Sequence, residues 1–183
     1  MQLRRYVLIP RTALLAALLA TGCVQQPVAG PPRVVAFNAT DTAWIQLMIP
    51  MDERAQRLAD LASARTADLA LAGLATASGA RLKGELARLR GLLERSGVPD
   101  TRPHEGHNMP GMVPLDTLER ASRSTGEELD RLFGESMRAH LTQTRSLCAG
   151  ERASGTSDDA KDLAGTIERS AAEQLALLDP TPR

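Results

Sequence analysis

From Trp44 onward, apolar side chains recur at steps of three and four along four separate stretches. The first carries Trp44, Met48, Met51, Ala55, Leu58 and Ala62, and the second Leu71, Leu74, Ser78, Leu82, Leu86, Leu89 and Leu93. The third carries Leu129, Phe133, Met137, His140, Thr144 and Cys148, and the fourth Leu163, Ile167, Ala171, Leu175 and Leu178. An α-helix turns once in about 3.6 residues, so each set lies on one helical face. Four helices with one apolar face each bury those faces against one another, which predicts an all-α four-helix bundle.

Local signals place the helix ends. Ser96-Gly97-Val98-Pro99 stops the second helix, with Gly suited to a left-handed cap and Pro unable to continue the ladder. Thr125-Gly126-Glu127-Glu128 has the spacing of a capping box and opens the third. Ser157, Asp158 and Asp159 offer caps and favourable negative charge at the start of the fourth. The first two helices part near Arg65 to Asp68. Pro50 lies inside the first stripe and should kink that helix or loosen its ladder. Residues 98 to 114 form a long loop, of a length that is uncommon in a compact domain unless the loop has a function or lacks order.

The two halves of this pattern repeat. Asp41-x-x-Trp44-x-x-x-Met48-x-x-Met51 matches Asp130-x-x-Phe133-x-x-x-Met137-x-x-His140 in spacing. Leu74-Ala75 through Glu85-Leu86 to Leu89 matches Leu163-Ala164 through Gln174-Leu175 to Leu178. A duplicated helical hairpin accounts for both.

The chain before the stripes is of another kind. Arg4, Arg5 and Arg11 accompany a short apolar run from Thr12 to Ala20, too short to span a bilayer, which ends in Ala20-Thr21-Gly22-Cys23. This resembles a bacterial lipobox, in which the cysteine is acylated and becomes the new N-terminus. Residues 1–22 are therefore read as a lipoprotein signal peptide and 23–40 as the lipidated Cys23 with a Pro-rich tether. Residues 41–178 are the bundle and 179–183 a short tail. The expected location is the cell membrane, on its extracytoplasmic face, with the acyl chains as the membrane contact. Lipidation of Cys23 leaves Cys148 without a disulfide partner and best placed as a buried apolar residue.

Composition narrows the function. Lys and Arg number 22 against 22 Asp and Glu, so no basic patch argues for nucleic acid as a partner. The few aromatics and the abundant Leu and Ala favour helix over sheet. The chain's three His stand in no Ser/His/Asp order, and no phosphate-binding Gly-rich loop or Cys-x-x-Cys appears. Di-iron chemistry of the ferritin type needs Glu-x-x-His pairs facing inward, and none lies on the four stripes. The reading is of a protein that is not an enzyme.

The repeated motif resembles a bacterial family, the domain of unknown function 305. The resemblance runs through Asp41, Trp44, Met48-Ile49-Pro50, Leu74-Ala75 and Glu85-Leu86 in the first unit. In the second it runs through Asp130, Phe133, Met137, Leu163-Ala164 and Leu175, and it includes the loop phrase His107-Asn-Met-Pro-Gly-Met112. It implies a ferritin-like four-helix bundle. In the family's repeat the Met-Ile-x step is followed by paired His, suspected metal ligands with copper proposed for some members. This chain has Met51-Asp52 and His140-Leu141 in those places, so the implication passes to His140 alone.

Two constellations offer metal chemistry. Met48, Met51, Met137 and His140 hold equivalent places in the two repeats and should converge if the hairpins pack about a pseudo-twofold axis. Thioethers with one imidazole suit Cu(I), whereas a carboxylate such as Asp52 favours harder ions. In the loop, His104-x-x-His107-x-Met109-x-x-Met112 gathers two imidazoles and two thioethers in a short span, a set suited to copper in an oxidising envelope. Against both stands a structural reading: Met fills gaps in helical cores, and the bundle serves as a structural or protein-interaction module that has lost an ancestral metal site.

Overall fold

The computed structural model describes residues 36–178, and among these all regular structure is helical. The signal peptide, Cys23, most of the tether and the tail lie outside the described residues. Helix α1 spans Ala39–Arg65, α2 Leu69–Ser96, α3 Leu115–Arg123, α4 Gly126–Ser154 and α5 Asp158–Leu178.

The ends follow local chemistry. Asn38 caps α1 by accepting from the Asp41 amide, and the Asp41 carboxylate accepts from the Asn38 amide in return, which makes a complete capping box. Asp68 caps α2 through the amides of Ala70 and Leu71. Ser157 Oγ accepts from the Ala160 amide at the start of α5. The box expected at Thr125 opens α4 without its side-chain bonds. Glu128 has turned instead to Arg120 and Arg131, at 2.7 and 2.8 Å, where a charged donor outcompetes a backbone amide. α1 runs unbroken through the buried Pro50.

The long helices pack as two hairpins. α1 lies on α2 and α4 on α5; α1 then packs on α4 and α2 on α5. The apolar faces are those expected: the first and third stripes are buried throughout, and only Leu71, Leu74, Leu175 and Leu178 at one end are half-buried. One element departs from the four-stripe reading. The short α3 leans on α1 and α4 through Leu118 and Ala121, a contact too small to leave a stripe in sequence. Among the described residues no helix is long and apolar enough to cross a membrane.

The core is not continuous. One apolar cluster gathers Ala55, Leu58, Leu82, Phe133, Met137 and Leu141, and the other Trp44, Met48, Leu86, Leu89, Cys148 and Ile167. On α1, α2 and α4 the register between them is held by polar side chains. Asp52, Glu85, His140 and Thr144 are all buried.

Candidate functional site

This polar layer is the chemically unusual part of the molecule. Asp52 on α1 follows Met48 by four residues and so shares its inward face. His140 on α4 follows Met137 by three. Their side chains meet with His140 Nε2 3.6 Å from Asp52 Oδ1, and both are closed to solvent. That separation is too long for a hydrogen bond. Both carboxyl oxygens of Asp52, both ring nitrogens of His140 and the Thr144 hydroxyl are buried without a hydrogen-bond partner. Native cores rarely leave such groups unmatched, because each one costs its desolvation in full.

The electrostatics follow from burial. Desolvation, helped by the charge of Arg81, holds the His140 imidazole down at about 3 from its ordinary 6.5, so the ring is neutral. The Gly111 backbone pulls the other way, approaching the ring without hydrogen-bond geometry. Burial, then the charge of Glu85, pushes Asp52 well above the usual carboxylate range against the pull of Arg81. Glu85 is raised by burial too, but Arg81 grips it at 2.6 Å. Arg81 thus compensates Glu85, and Asp52 is left without a paired cation, so that burial favours its protonated form. Burial also raises the Cys148 thiol, with the charges of Asp52 and Glu85 adding to the effect.

The other core candidates are all buried. Met48 belongs to one apolar cluster and Met137 to the other, while Met51 is fully buried next to Asp52 in the chain. Among the described residues no three His, Cys, Asp or Glu side chains come together as a metal cage. A metal held here would take His140 and Asp52 as its first ligands and need a thioether or water for the rest.

The loop is pinned to α1. The buried Arg54 guanidinium donates to Asn108 Oδ1 at 3.0 Å, to the Val113 carbonyl at 3.4 Å and to the Glu105 carbonyl. Beside it, Glu53 pairs with Arg102 at 2.6 Å and with Arg90 at 2.7 Å. Gly111 sits flush on α4: its φ of +75° and the Gln143 side chain leave no room for a Cβ, and the Ala139 carbonyl is 3.1 Å away from that position. The four loop candidates are divided by this docking. His104 and His107 stand edge to face, with ring centroids 6.2 Å apart and His107 exposed to solvent. Met109 and Met112 instead line a cleft of about 470 Å³ against α4, with Met112 buried.

Sequence reasoning took Glu85 only as part of the repeat and passed over Arg54, Arg81 and, away from this layer, the buried Glu151. Glu151 was legible, because it lies three residues beyond Cys148 and extends the third stripe by one step. Arg54 was not, since a lone Arg beside a stripe reads as a solvated edge.

Fold and site together define an all-helical domain of two paired hairpins with a buried acid–imidazole contact. Within that class the chain belongs to the family described as Domain of unknown function (DUF305), whose model matches residues 41–180. The resemblance carried by the repeated Asp, aromatic and Met positions is thereby borne out. A crystal structure of a DUF305 protein from Streptomyces coelicolor, described as secreted, superposes with a TM-score of 0.69 at 18% identity. The alignment covers 76% of this chain and 89% of that one. No curated protein matches by sequence.

Proposed function

We propose that this chain is an exported, lipid-anchored member of its family, a ferritin-like four-helix bundle that holds one Cu(I) ion in its core at His140, with Asp52 facing it as counter-charge, and carries out no catalysis. The observation that supports this is the set of four unpartnered polar atoms on two buried, facing side chains. Nitrogen and carboxylate ligands sit about 2.0–2.2 Å from an ion such as zinc, so two of them flanking one metal lie roughly 3–4 Å apart. The 3.6 Å separation falls within that span. His140 is neutral, as a ligand must be. Charge favours a monovalent ion: with Glu85 compensated by Arg81, one positive charge replaces the proton of Asp52 and balances its carboxylate. Cu(I) also accepts low coordination and soft thioether ligands, which the buried Met51 would supply. The description of the Streptomyces relative as secreted supports placement outside the cytoplasm, and the lipobox-like Ala20-Thr21-Gly22-Cys23 supports anchoring.

Anaerobic Cu(I) titration against a competing chelator tests the reading. One equivalent should bind, with loss of binding in His140→Ala and retention in the double variant His104→Ala/His107→Ala. The opposite outcome would move the site to the loop. No uptake at micromolar copper would leave a structural or interaction module in its place.

A further inference from the structure

A second buried acid contact lies away from the polar layer, where α1 begins and α4 ends. Asp41 and Glu151 are 0% and 1% exposed. The Asp41 carboxylate is saturated: Oδ2 accepts from the Asn38 amide at 2.6 Å, and Oδ1 accepts from the amides of Thr156 and Ser157, both at 3.1 Å. The Thr156 hydroxyl lies 3.0 Å from Asp41 Oδ2 and equally close to the Ala36 carbonyl. Glu151 is the reverse case, since neither of its oxygens accepts a hydrogen bond. Its carboxyl is turned toward Asp41: Glu151 Oε1 and Asp41 Oδ1 together occupy the space that a Cβ on Gly155 would take.

Two ionised carboxylates facing each other without water repel, and a proton between them turns repulsion into a short, strong hydrogen bond. Asp41 already meets donors on all sides and is the natural acceptor; Glu151 has no donor of its own and is the natural carrier of the proton. We propose that Asp41 and Glu151 share one proton and form an acid clasp that fastens the start of α1 to the α4–α5 turn at neutral pH and loosens it in alkaline surroundings.

The neighbouring charges agree with this assignment. Burial, then the hydrogen bond to Asp41 and its charge, raises Glu151 to about 8, and only Lys161 on α5 opposes this. Lys161 is itself 3.5 Å from Asp158. Burial pushes Asp41 upward too, but the bond from Glu151 and the amides of Asn38, Thr156 and Ser157 outweigh it and leave Asp41 low. On α4, Arg152 is engaged with Glu168 at 2.7 Å on the outer surface. The clasp also fixes the approach to α1, since Asn38 Nδ2 donates to the Ser154 carbonyl at 2.8 Å. Opening it would free the chain just upstream of α1 from the turn.

The folded state holds a proton on Glu151 that the unfolded chain gives up near pH 4.5, so this contribution to stability declines as pH rises through about 8. The test is thermal unfolding of the purified full chain at pH 6.5 and 9.5, with Glu151→Gln beside the parent. The parent should lose roughly 5 °C or more in Tm over that interval. Glu151→Gln keeps a donor toward Asp41 but cannot ionise, and should lose less than half as much. Equal losses in the two proteins, or a parent that does not change, would overturn the proposal. Carbon-13 NMR titration of the Glu carboxyls in the parent decides the matter should the variant fail to fold: a Glu151 midpoint near 8 supports the clasp, and one near 4.5 overturns it.

Discussion

His140 Nε2 lies 3.6 Å from Asp52 Oδ1, and this contact joins α1 to α4 without a hydrogen bond. A pair buried in this way does little for stability, because desolvation offsets what the two groups gain from each other. Replacing both by Leu should leave the fold equally stable or raise its stability by about 1–4 kcal/mol, while removing copper uptake. His140→Leu alone, which strands Asp52, should be less stable than the double variant. Urea unfolding of the three proteins checks the order.

The same imidazole makes stability depend on acid. From pH 6.5 down to about 3 the unfolded chain takes up a proton at this position and the folded chain does not, so the folded state weakens as pH falls through that range. Asp52 and Glu85 act in the opposite sense: their raised values favour folding at low pH, and that contribution fades as pH rises. His140→Gln removes the first effect alone. Between pH 6.5 and pH 4 the urea midpoint of the variant should therefore rise relative to that of the parent.

Phe133 stands in the repeat where Trp44 stands in the first unit and is 0% exposed. Phe133→Ala empties a large volume in the cluster around Met137 and Leu82, and should cost roughly 3–5 kcal/mol. A loss below about 1 kcal/mol in chemical denaturation would contradict the packing described here.

Arg54 orders the loop from beneath. Arg54→Ala leaves the buried Val113 carbonyl without its donor and frees Asn108 and Glu105. The expected cost is about 1–3 kcal/mol, concentrated in the loop. Hydrogen exchange should accelerate across residues 102–114 while the amides of α2 and α5 keep their protection.

Anchoring is tested at the other end of the chain. Cys23→Ala should abolish acylation and move the protein from the membrane fraction to the soluble fraction. Unchanged partitioning, with no acyl mass on the mature N-terminus of the parent, would dismiss the lipidation reading.

The helices were legible because their causes are local. Trp44, Met48 and Met51 share a face by the geometry of one turn. Asp68 and Gly97 end their helices through bonds or dihedrals within a few residues. The motif around Asp41 and Asp130 pointed to the family for the same reason, as a spacing within a single helix. α3 escaped notice because nine residues with two buried side chains carry too little pattern to stand out from a loop. What the sequence left open is which polar groups face one another. Met48, Met51, Met137 and His140 were all correctly placed inside, yet spacing along each helix says nothing of the stagger between helices. The packing puts Met48 and Met137 in different clusters and brings His140 against Asp52 instead. The meeting of Asp41 with Glu151, and the docking of the loop on Arg54, likewise depend on how the hairpins slide and rotate against each other. A sequence fixes a residue's face through the helical repeat, whereas a partner across an interface is chosen only when all the buried surfaces are packed at once.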